Sequence, residues 1–438
     1  MKTILPLFLL LVAQQLLGQQ TAQLWQEVLS PPQGSVGAPV QDNIEWRTDF
    51  YAALDEAKAA GAPMLVTWRC LPCKQCAAFD KNVLEGSPAL TPLLKQFVTV
   101  RMTDAGQLDD RYFPYRGFQD TDLSWWGYFL SPEGRLYGVF GGKDHVSDAT
   151  RISEAAFVNS LERILAHHRD PRRETWNIDG EAPDSGAKKT GPRDIASVAK
   201  LIETRPHMAN QECTHCHQVG DILNFDAMEN GTFTLKKFTQ PWPLPENVGI
   251  VVDRDEGLLV TDVEAGSPAA AAGIQNGDRL AMASGRRLFG QADFRGALHR
   301  ASYEDANVLV GWTRDEEPMF AQLSLKDGWK EGKNLWRKTI YEGPYGPHLG
   351  FFPLKGPNNG KGSMSFKPFM GSGNKQQQSA WWPSGLRPGM EIIEVNGRND
   401  DWDSREFIAW FRMNHKEGDN VSIKVRGGKK FTHRIKAK

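Results

Sequence analysis

All five cysteines of this 438-residue chain fall in two short runs, Cys70-Leu71-Pro72-Cys73-Lys74-Gln75-Cys76 and Cys213-Thr214-His215-Cys216-His217. That distribution constrains the fold more than any other feature. A disulfide framework scatters its cysteines so that bridges tie distant segments together, and none is scattered here. Ordinary hydrophobic cores must therefore carry the fold, and 40% hydrophobic with 24% charged residues is an adequate composition for them. The length suggests roughly three domains. A net charge of −1 gives no whole-chain attraction to nucleic acid or to anionic membranes.

The N-terminus sets the compartment in which those thiols are read. Lys2 is followed by an apolar stretch from Ile4 to Ala13, interrupted by Pro6, and then by polar residues. Residues 1–20 read as a secretory signal peptide, with cleavage between Gly18 and Ala22; an uncleaved anchor is the alternative. The stretch is too short to span a bilayer and no other segment is longer, so no membrane span is expected after signal removal. No cysteine follows the apolar run, which argues against a lipid anchor. The chain is expected to be exported, periplasmic or extracellular, where thiols tend to pair or to ligate metal.

Residues 19–43 contain Gln, Pro and Gly and read as a flexible leader. From Trp46 the pattern becomes regular. Asp49 to Ala60 reads as an amphipathic helix carrying Phe50, Leu54 and Ala57, and Met64-Leu65-Val66-Thr67-Trp68 as a buried strand. A helix running through Phe79 and Val83 follows the first cysteine run, then a strand at Phe97 to Met102. A hairpin joins Tyr128-Phe129-Leu130 to Arg135–Phe140 through Ser131-Pro132-Glu133-Gly134. A helix from Ser153 to His168 closes an α/β unit over residues 44–168. Residues 169–193, rich in Pro, Gly, Asp, Lys and Arg, read as a linker. Residues 194–245 form a small helical segment around the second cysteine run. The rest, 246–327 and 345–438, is an internal repeat with an insert at Gly356 to Ser379 in the second copy. The basic C-terminus (Lys424, Arg426, Lys429, Lys430, Arg434, Lys436, Lys438) reads as a charged edge strand rather than a nucleic-acid site. Trp125-Trp126 and Trp381-Trp382 read as core.

In the first cysteine run, Cys70 would project at a helix N-terminus. There the dipole and unsatisfied amides favour a thiolate, and Cys73 lies within disulfide reach. Pro72 suits a first helical turn. Trp68, Cys70-x-Pro72-Cys73-Lys74 and the Ser131–Gly134 turn resemble the thioredoxin superfamily, in particular its thioredoxin-7-like branch, from about Trp46 to His168. The resemblance implies Cys70 as the attacking thiol and Cys73 as the resolving one. Two departures stand out. The cis-proline that faces the dithiol in thioredoxins maps near Trp125, in Leu123-Ser124-Trp125-Trp126. Cys76 is an additional thiol that could resolve, ligate or be buried, so both Cys70–Cys73 and Cys73–Cys76 pairings remain open. An inert disulfide and a metal site of three thiolates are the other readings of this run.

The second run contains C-x-x-C-H, the attachment signature of c-type haem. Cys213 and Cys216, one turn apart, can add to two vinyl groups while His217 turns its ring to the iron as proximal ligand. His207, Met208 and Met228 are candidates for the sixth ligand, which stays open. A zinc site of Cys213, Cys216 and His217, or a second dithiol, are the alternatives. The segment is too short for a full cytochrome domain, so a haem would borrow cover from a neighbour.

The repeat has Asn247-Val248-Gly249-Ile250, Ser267-Pro268-Ala269-Ala270 and Ala272-Gly273-Ile274-Gln275-Asn276-Gly277-Asp278 in its first copy. The second has His348-Leu349-Gly350-Phe351, Pro383–Met390 and Glu391–Gly397. Both resemble bacterial PDZ domains. The resemblance implies peptide docking at Val248-Gly249-Ile250 and Leu349-Gly350-Phe351, where loop amides hold a carboxylate and the peptide adds a strand. No Ser/His/Asp protease domain precedes the pair. The whole chain resembles the thioredoxin-7/PDZ domain-containing (seleno)protein family, some members of which carry selenocysteine in the thiol motif, implying redox chemistry. The expected architecture is multidomain: an α/β thioredoxin-like domain, a small helical CxxCH segment and two β-rich PDZ-like domains. The expected function is an extracytoplasmic thiol–disulfide oxidoreductase with catalytic Cys70 and Cys73, covalent haem c, a redox partner protein, and PDZ domains that dock client proteins. A non-catalytic PDZ scaffold, or a haem-based electron-transfer, sensor or peroxidase-like protein, is the alternative.

Overall fold

Met64-Leu65-Val66-Thr67-Trp68 forms strand β1, and all five side chains are buried. A strand buried on both faces needs cover on both. In the computed structural model, Met64, Val66 and Trp68 face Phe50, Ala53 and Ala57 of a helix at Phe50–Ala60. Leu65 faces Phe157, Leu161 and Ile164 of a helix at Glu154–Arg169. The alternation is the two-residue period of a pleated strand. The described residues are 23–30, 40–71, 73–143, 153–204, 214–216, 218–331, 347, 351–355, 364–368, 384–387, 390–400 and 404–435. The expected signal peptide, Cys213, His217, His207, Met208, Leu349, Gly350 and Trp381-Trp382 lie outside them.

Helices of six or more residues are numbered α1 (23–29), α2 (Phe50–Ala60), α3 (Lys74–Phe79), α4 (Glu154–Arg169), α5 (Ala196–Thr204), α6 (Gln218–Glu229), α7 (Gln291–Arg300) and α8 (Ser404–Asn414). The first sheet runs β2 (Val98–Met102), β1, β3 (Ser124–Leu130), β4 (Leu136–Lys143), with β1 parallel to β2 and antiparallel to β3. Helix α2 starts where Asp49 accepts from the amides of Tyr51 and Ala52, and stops at Gly61 in the left-handed region. Helix α4 starts where Ser153 caps Ala156. Elements expected from the sequence between 49 and 169 are found within a residue or two of their expected bounds, except that β3 starts four residues earlier and β4 ends three residues later.

The repeat is visible as element order. The first copy has β5 (Ile250–Val252) paired to β6 (Val260–Val263), then β7 (Arg279–Ala283), β8 (Arg286–Arg287), α7, and the hairpin of β9 (Ala306–Arg314) with β10 (Glu317–Leu325). The second has β11 (Phe351–Lys355) paired to β12 (Met364–Pro368), then β13 (Glu391–Val395), α8, and the hairpin of β14 (Asn420–Val425) with β15 (Lys430–Arg434). Strand β15 is a sheet edge with exposed Lys430 and Arg434, as the basic C-terminus suggested.

Two segments read as flexible are packed. In the leader, α1 buries Trp25, Val28 and Leu29, and the Trp25 ring lies over Gly311, where a Cβ would meet it at 2.9 Å. In the stretch 169–193, Trp176 and Ile178 join the same cluster with Met282. Arg111 donates to the carbonyls of Ser185 and Ala187. Polar composition hid two apolar anchors, and those anchors fix the segment.

The units are also docked on one another. Arg295 of α7 donates to Asp120 at 2.5 Å, both almost fully buried. Asp293 accepts from the Val139 amide at 2.8 Å, and Ser160 donates to the Phe289 carbonyl at 3.0 Å. Gly138 permits this approach, since a Cβ there would lie 2.7 Å from the Phe289 ring. Helix α6 ties the C-terminal unit in through Arg412, which donates to buried Asp221 at 2.7 Å.

Candidate functional site

Strand β1 ends at Trp68, and the chain turns through Cys70 to Cys73, whose amide donates to the Cys70 carbonyl at 3.2 Å. Helix α3 begins at Lys74, so its N-cap is Cys73, whose sulfur accepts from the Cys76 amide at 3.3 Å. The sequence placed Cys70 at the helix N-terminus; the structure puts Cys73 there, three residues later. The reason is that the Cys70–Cys73 segment is spent on a turn before the helix starts. Cys73 is part-exposed, while Cys70 and Cys76 are buried. The Cys76 thiol lies 2.7 Å from the Cys73 sulfur. Among the described residues, Cys70, Cys73 and Cys76 are the one group of three or more His, Cys, Asp or Glu with ligand atoms all within 4.8 Å. Hydrogen bonds to Cys70 and Cys73, reinforced by burial, push the Cys76 pKa far up. Cys76 therefore keeps its proton and offers it to its two neighbours.

Beneath the thiols, α3 widens into a π turn at Asp80–Leu84. It buries Asp80, which pairs with Arg69 at 2.6 Å and Arg101 at 3.4 Å and accepts from the Trp125 indole at 3.0 Å. Burial pushes the Asp80 carboxyl up, against the indole and the two guanidinium groups. Sequence reading had not singled out Asp80; a charged residue one helix turn beyond a buried thiol run was the available signal.

Trp125 stands where the resemblance placed the cis-proline. It is fully buried with φ +61°, in the left-handed region, and no cis peptide occurs among the described residues. Its ring packs edge-on against Phe79, Phe140 and Phe157. Its backbone amide is engaged by the sulfur of Cys216. The second cysteine run thus meets the first. Thr214 is fixed there by its amide to Asp104 at 2.7 Å and its carbonyl to the Ala105 amide at 3.0 Å. Cys216 follows, buried in the core of the first unit with its sulfur 3.7 Å from the Trp68 carbonyl. Burial first, and then the nearby Cys70, push the Cys216 thiol up.

That placement tests the haem expectation on the half of the motif that is described. A thioether tether must present its sulfur to a macrocycle edge. Cys216 instead points between Trp68 and Trp125, inside a packed core. Two cavities, of about 300 and about 870 Å³, are lined by other residues; Met228 lines the second with Phe225 and His415. The environment of Cys216 does not fit a haem tether.

In the first repeat, Val248 is buried and Gly249 takes φ +82°, where its amide donates to the Glu246 carbonyl at 3.1 Å. A Cβ on Gly249 would lie 2.1 Å from the Ser267 side chain. Ile250 pairs with Val263 through β5 and β6, a two-stranded sheet whose outer β5 edge carries half-exposed Val251. In the second repeat only Phe351, the first residue of β11, is described from the expected loop.

Comparison with known families agrees with this geometry. Residues 45–121 match the family described as thioredoxin-like, and residues 248–325 match the PDZ domain. The chain therefore combines a thioredoxin-like domain with a PDZ domain, a redox-type unit joined to a unit for protein-partner binding. No curated protein matches the chain.

Proposed function

We propose that this chain is an exported thiol–disulfide oxidoreductase whose PDZ domain holds client proteins beside the thiols. The observation that carries the reading is the pair Cys73–Cys76: one part-exposed sulfur at a helix N-cap, one buried protonated thiol 2.7 Å away. The Cys73 thiolate attacks a client disulfide, forming a mixed disulfide and expelling one client thiolate. Cys76 then gives up its proton and attacks the Cys73 sulfur. The Cys73–Cys76 disulfide closes, the second client thiolate leaves, and it takes up the proton. Two electrons pass to the client, and a dithiol donor must restore the pair. This assigns to Cys73 the attacking role that the resemblance gave to Cys70. The PDZ domain raises the local concentration of clients. Export rests on Lys2 and the apolar run behind it.

Reduction of insulin disulfides by dithiothreitol tests the assignment. Cys73→Ser should abolish the acceleration, and Cys76→Ser should trap a mixed disulfide on Cys73. Cys70→Ser should slow the reaction less than Cys73→Ser. An unaffected Cys73→Ser enzyme would sink the reading. The second reading, covalent haem on Cys213, Cys216 and His217, rests on the motif spacing alone and requires Cys216 to leave its packed position. Protein expressed with a maturation system and reduced with dithionite decides it: c-type α and β bands establish haem, and their absence removes it.

A further inference from the structure

We propose that the reduced protein binds one Cu(I) ion in a trigonal site of three thiolates, Cys70, Cys73 and Cys76. Dithiol chemistry uses two sulfurs, and the fold brings three together. Their sulfur atoms all lie within 4.8 Å of one another, and no other His, Cys, Asp or Glu of the described residues joins the group. The local backbone explains the convergence. The turn from Cys70 closes on the Cys73 amide, which donates to the Cys70 carbonyl at 3.2 Å. The first turn of α3 closes on the Cys76 amide, which donates to the Cys73 sulfur at 3.3 Å. Two successive three-residue turns thus return each cysteine to the place of the one before.

The kind and number of donors select the ion. Thiolates without imidazole or carboxylate favour a soft cation. Zn²⁺ completes four ligands, and where a protein supplies three it adds a water or a substrate. Cu(I) is complete with three thiolates in a plane. A group of three sulfurs, two of them buried, suits the ion that asks for no fourth ligand. With metal–sulfur bonds of about 2.3 Å, the sulfurs of a trigonal site stand about 4.0 Å apart, which a spread of up to 4.8 Å admits. The Cys73–Cys76 approach of 2.7 Å must widen by about 1.3 Å. Cys73, part-exposed at the helix N-cap, is the side chain with solvent beside it to make that movement, and the ion reaches the two buried sulfurs past it. Ligation replaces each thiol proton with a bond to the metal and releases the proton to solvent. Copper stays Cu(I) throughout, so no electron moves. A Cys73–Cys76 disulfide would leave Cys70 as the one thiol of the group, so metal binding and disulfide formation exclude each other.

The inference needs only reduced thiols and does not depend on the oxidoreductase reading. The full mature chain, reduced with dithiothreitol and freed of it under argon, is titrated with Cu(I) against bicinchoninate as competing chelator. It should withdraw one equivalent, and X-ray absorption should count three sulfur neighbours around the copper. Excess Zn²⁺ should leave the copper in place. Cys70→Ser and Cys76→Ser should each weaken binding at least ~10-fold, since loss of an outer-sphere partner already costs that much, and should lower the sulfur count to two. Because both residues are buried and the variants could misfold, alkylation of the wild-type protein gives a second readout. Cu(I) should protect Cys70, Cys73 and Cys76 together, mapped by mass spectrometry, and its removal by bicinchoninate should expose them. Two sulfur neighbours in the wild-type protein overturn the proposal, as does displacement by Zn²⁺, unchanged affinity in Cys70→Ser, or protection that omits one of the three. If copper binds as described while metal-free protein fails to reduce insulin, the metal site stands and the oxidoreductase reading falls; the reverse result separates them the other way.

Discussion

Removing the Arg295–Asp120 pair should loosen the PDZ domain from the thiol domain. The guanidinium and carboxylate meet at 2.5 Å, with side chains 3% and 4% exposed. Taking one partner away leaves the other charge buried, which costs about 3–5 kcal/mol. Replacing both with apolar residues of similar volume removes that penalty, because neither charge then has to be desolvated. Arg295→Met and Asp120→Leu should each lose about 3–5 kcal/mol, and the double variant should recover most of it. Recovery should fall short by about 1 kcal/mol or somewhat more. Arg295 also donates to the Trp242 carbonyl at 3.3 Å, and Asp120 also accepts from the Asp122 amide at 3.2 Å. Urea unfolding followed by circular dichroism gives the three energies. Limited proteolysis between residues 169 and 193 reports whether the domains part. If Arg295→Met stays within about 1 kcal/mol of wild type and the cycle shows no coupling, this pair does not hold the docking.

Alkylation by iodoacetamide under native conditions should modify Cys73 first and Cys70, Cys76 and Cys216 far more slowly, in the order of their exposure; simultaneous labelling read by mass spectrometry would contradict the burial. Gly249→Ala should unfold the Val248–Ile250 loop, since it combines φ +82° with a 2.1 Å approach to Ser267, and should abolish peptide capture by the PDZ domain while sparing insulin reduction. Trp125→Gly relieves a left-handed backbone worth about 1 kcal/mol but deletes a ring packed on three phenylalanines, a loss of about 3–5 kcal/mol, so the melting temperature should fall. Burial pulls Lys330 down to about 7 from its ordinary 10.5. Between those values the unfolded chain holds a proton that the native one has released, so stability should rise as pH goes from about 7 to about 10. Below about 7 both states hold the proton and the slope should level off, and Lys330→Met should remove the rise in pH-resolved denaturation curves.

Local pattern made the first domain legible. β1 is an uninterrupted apolar run, α2 and α4 carry their apolar residues at helical spacing behind Asp49 and Ser153, and Ser131–Gly134 is turn chemistry. The helix start at Cys73 was less accessible, because a three-residue shift of a cap leaves the apolar spacing of α3 unchanged. The packed leader carried a signal, Leu24, Trp25, Val28 and Leu29 at helical spacing, that its Gln- and Pro-rich surroundings masked. The stretch 169–193 had no periodicity at all; Trp176 and Ile178 act as single anchors, and only tertiary packing shows what they meet. The meeting of Cys216 with the first thiol run is of the same kind, since nothing local in Thr214-His215-Cys216 encodes Asp104 or Trp125.

The departure at Trp125 and the burial of Cys216 have one physical origin. In a thioredoxin-like site the backbone beside the dithiol is where an incoming chain lays its own backbone. Here the Trp125 amide at that place is occupied from within by a cysteine of the same chain, on a segment held by Asp104, Ala105 and Arg193. A left-handed tryptophan turns its amide toward Cys216 and its indole down to Asp80, so one residue joins the second cysteine run to the acid beneath the first. Client access by the usual backbone pairing then requires residues 214–216 to move, and the Thr214–Asp104 contact at 2.7 Å resists that motion.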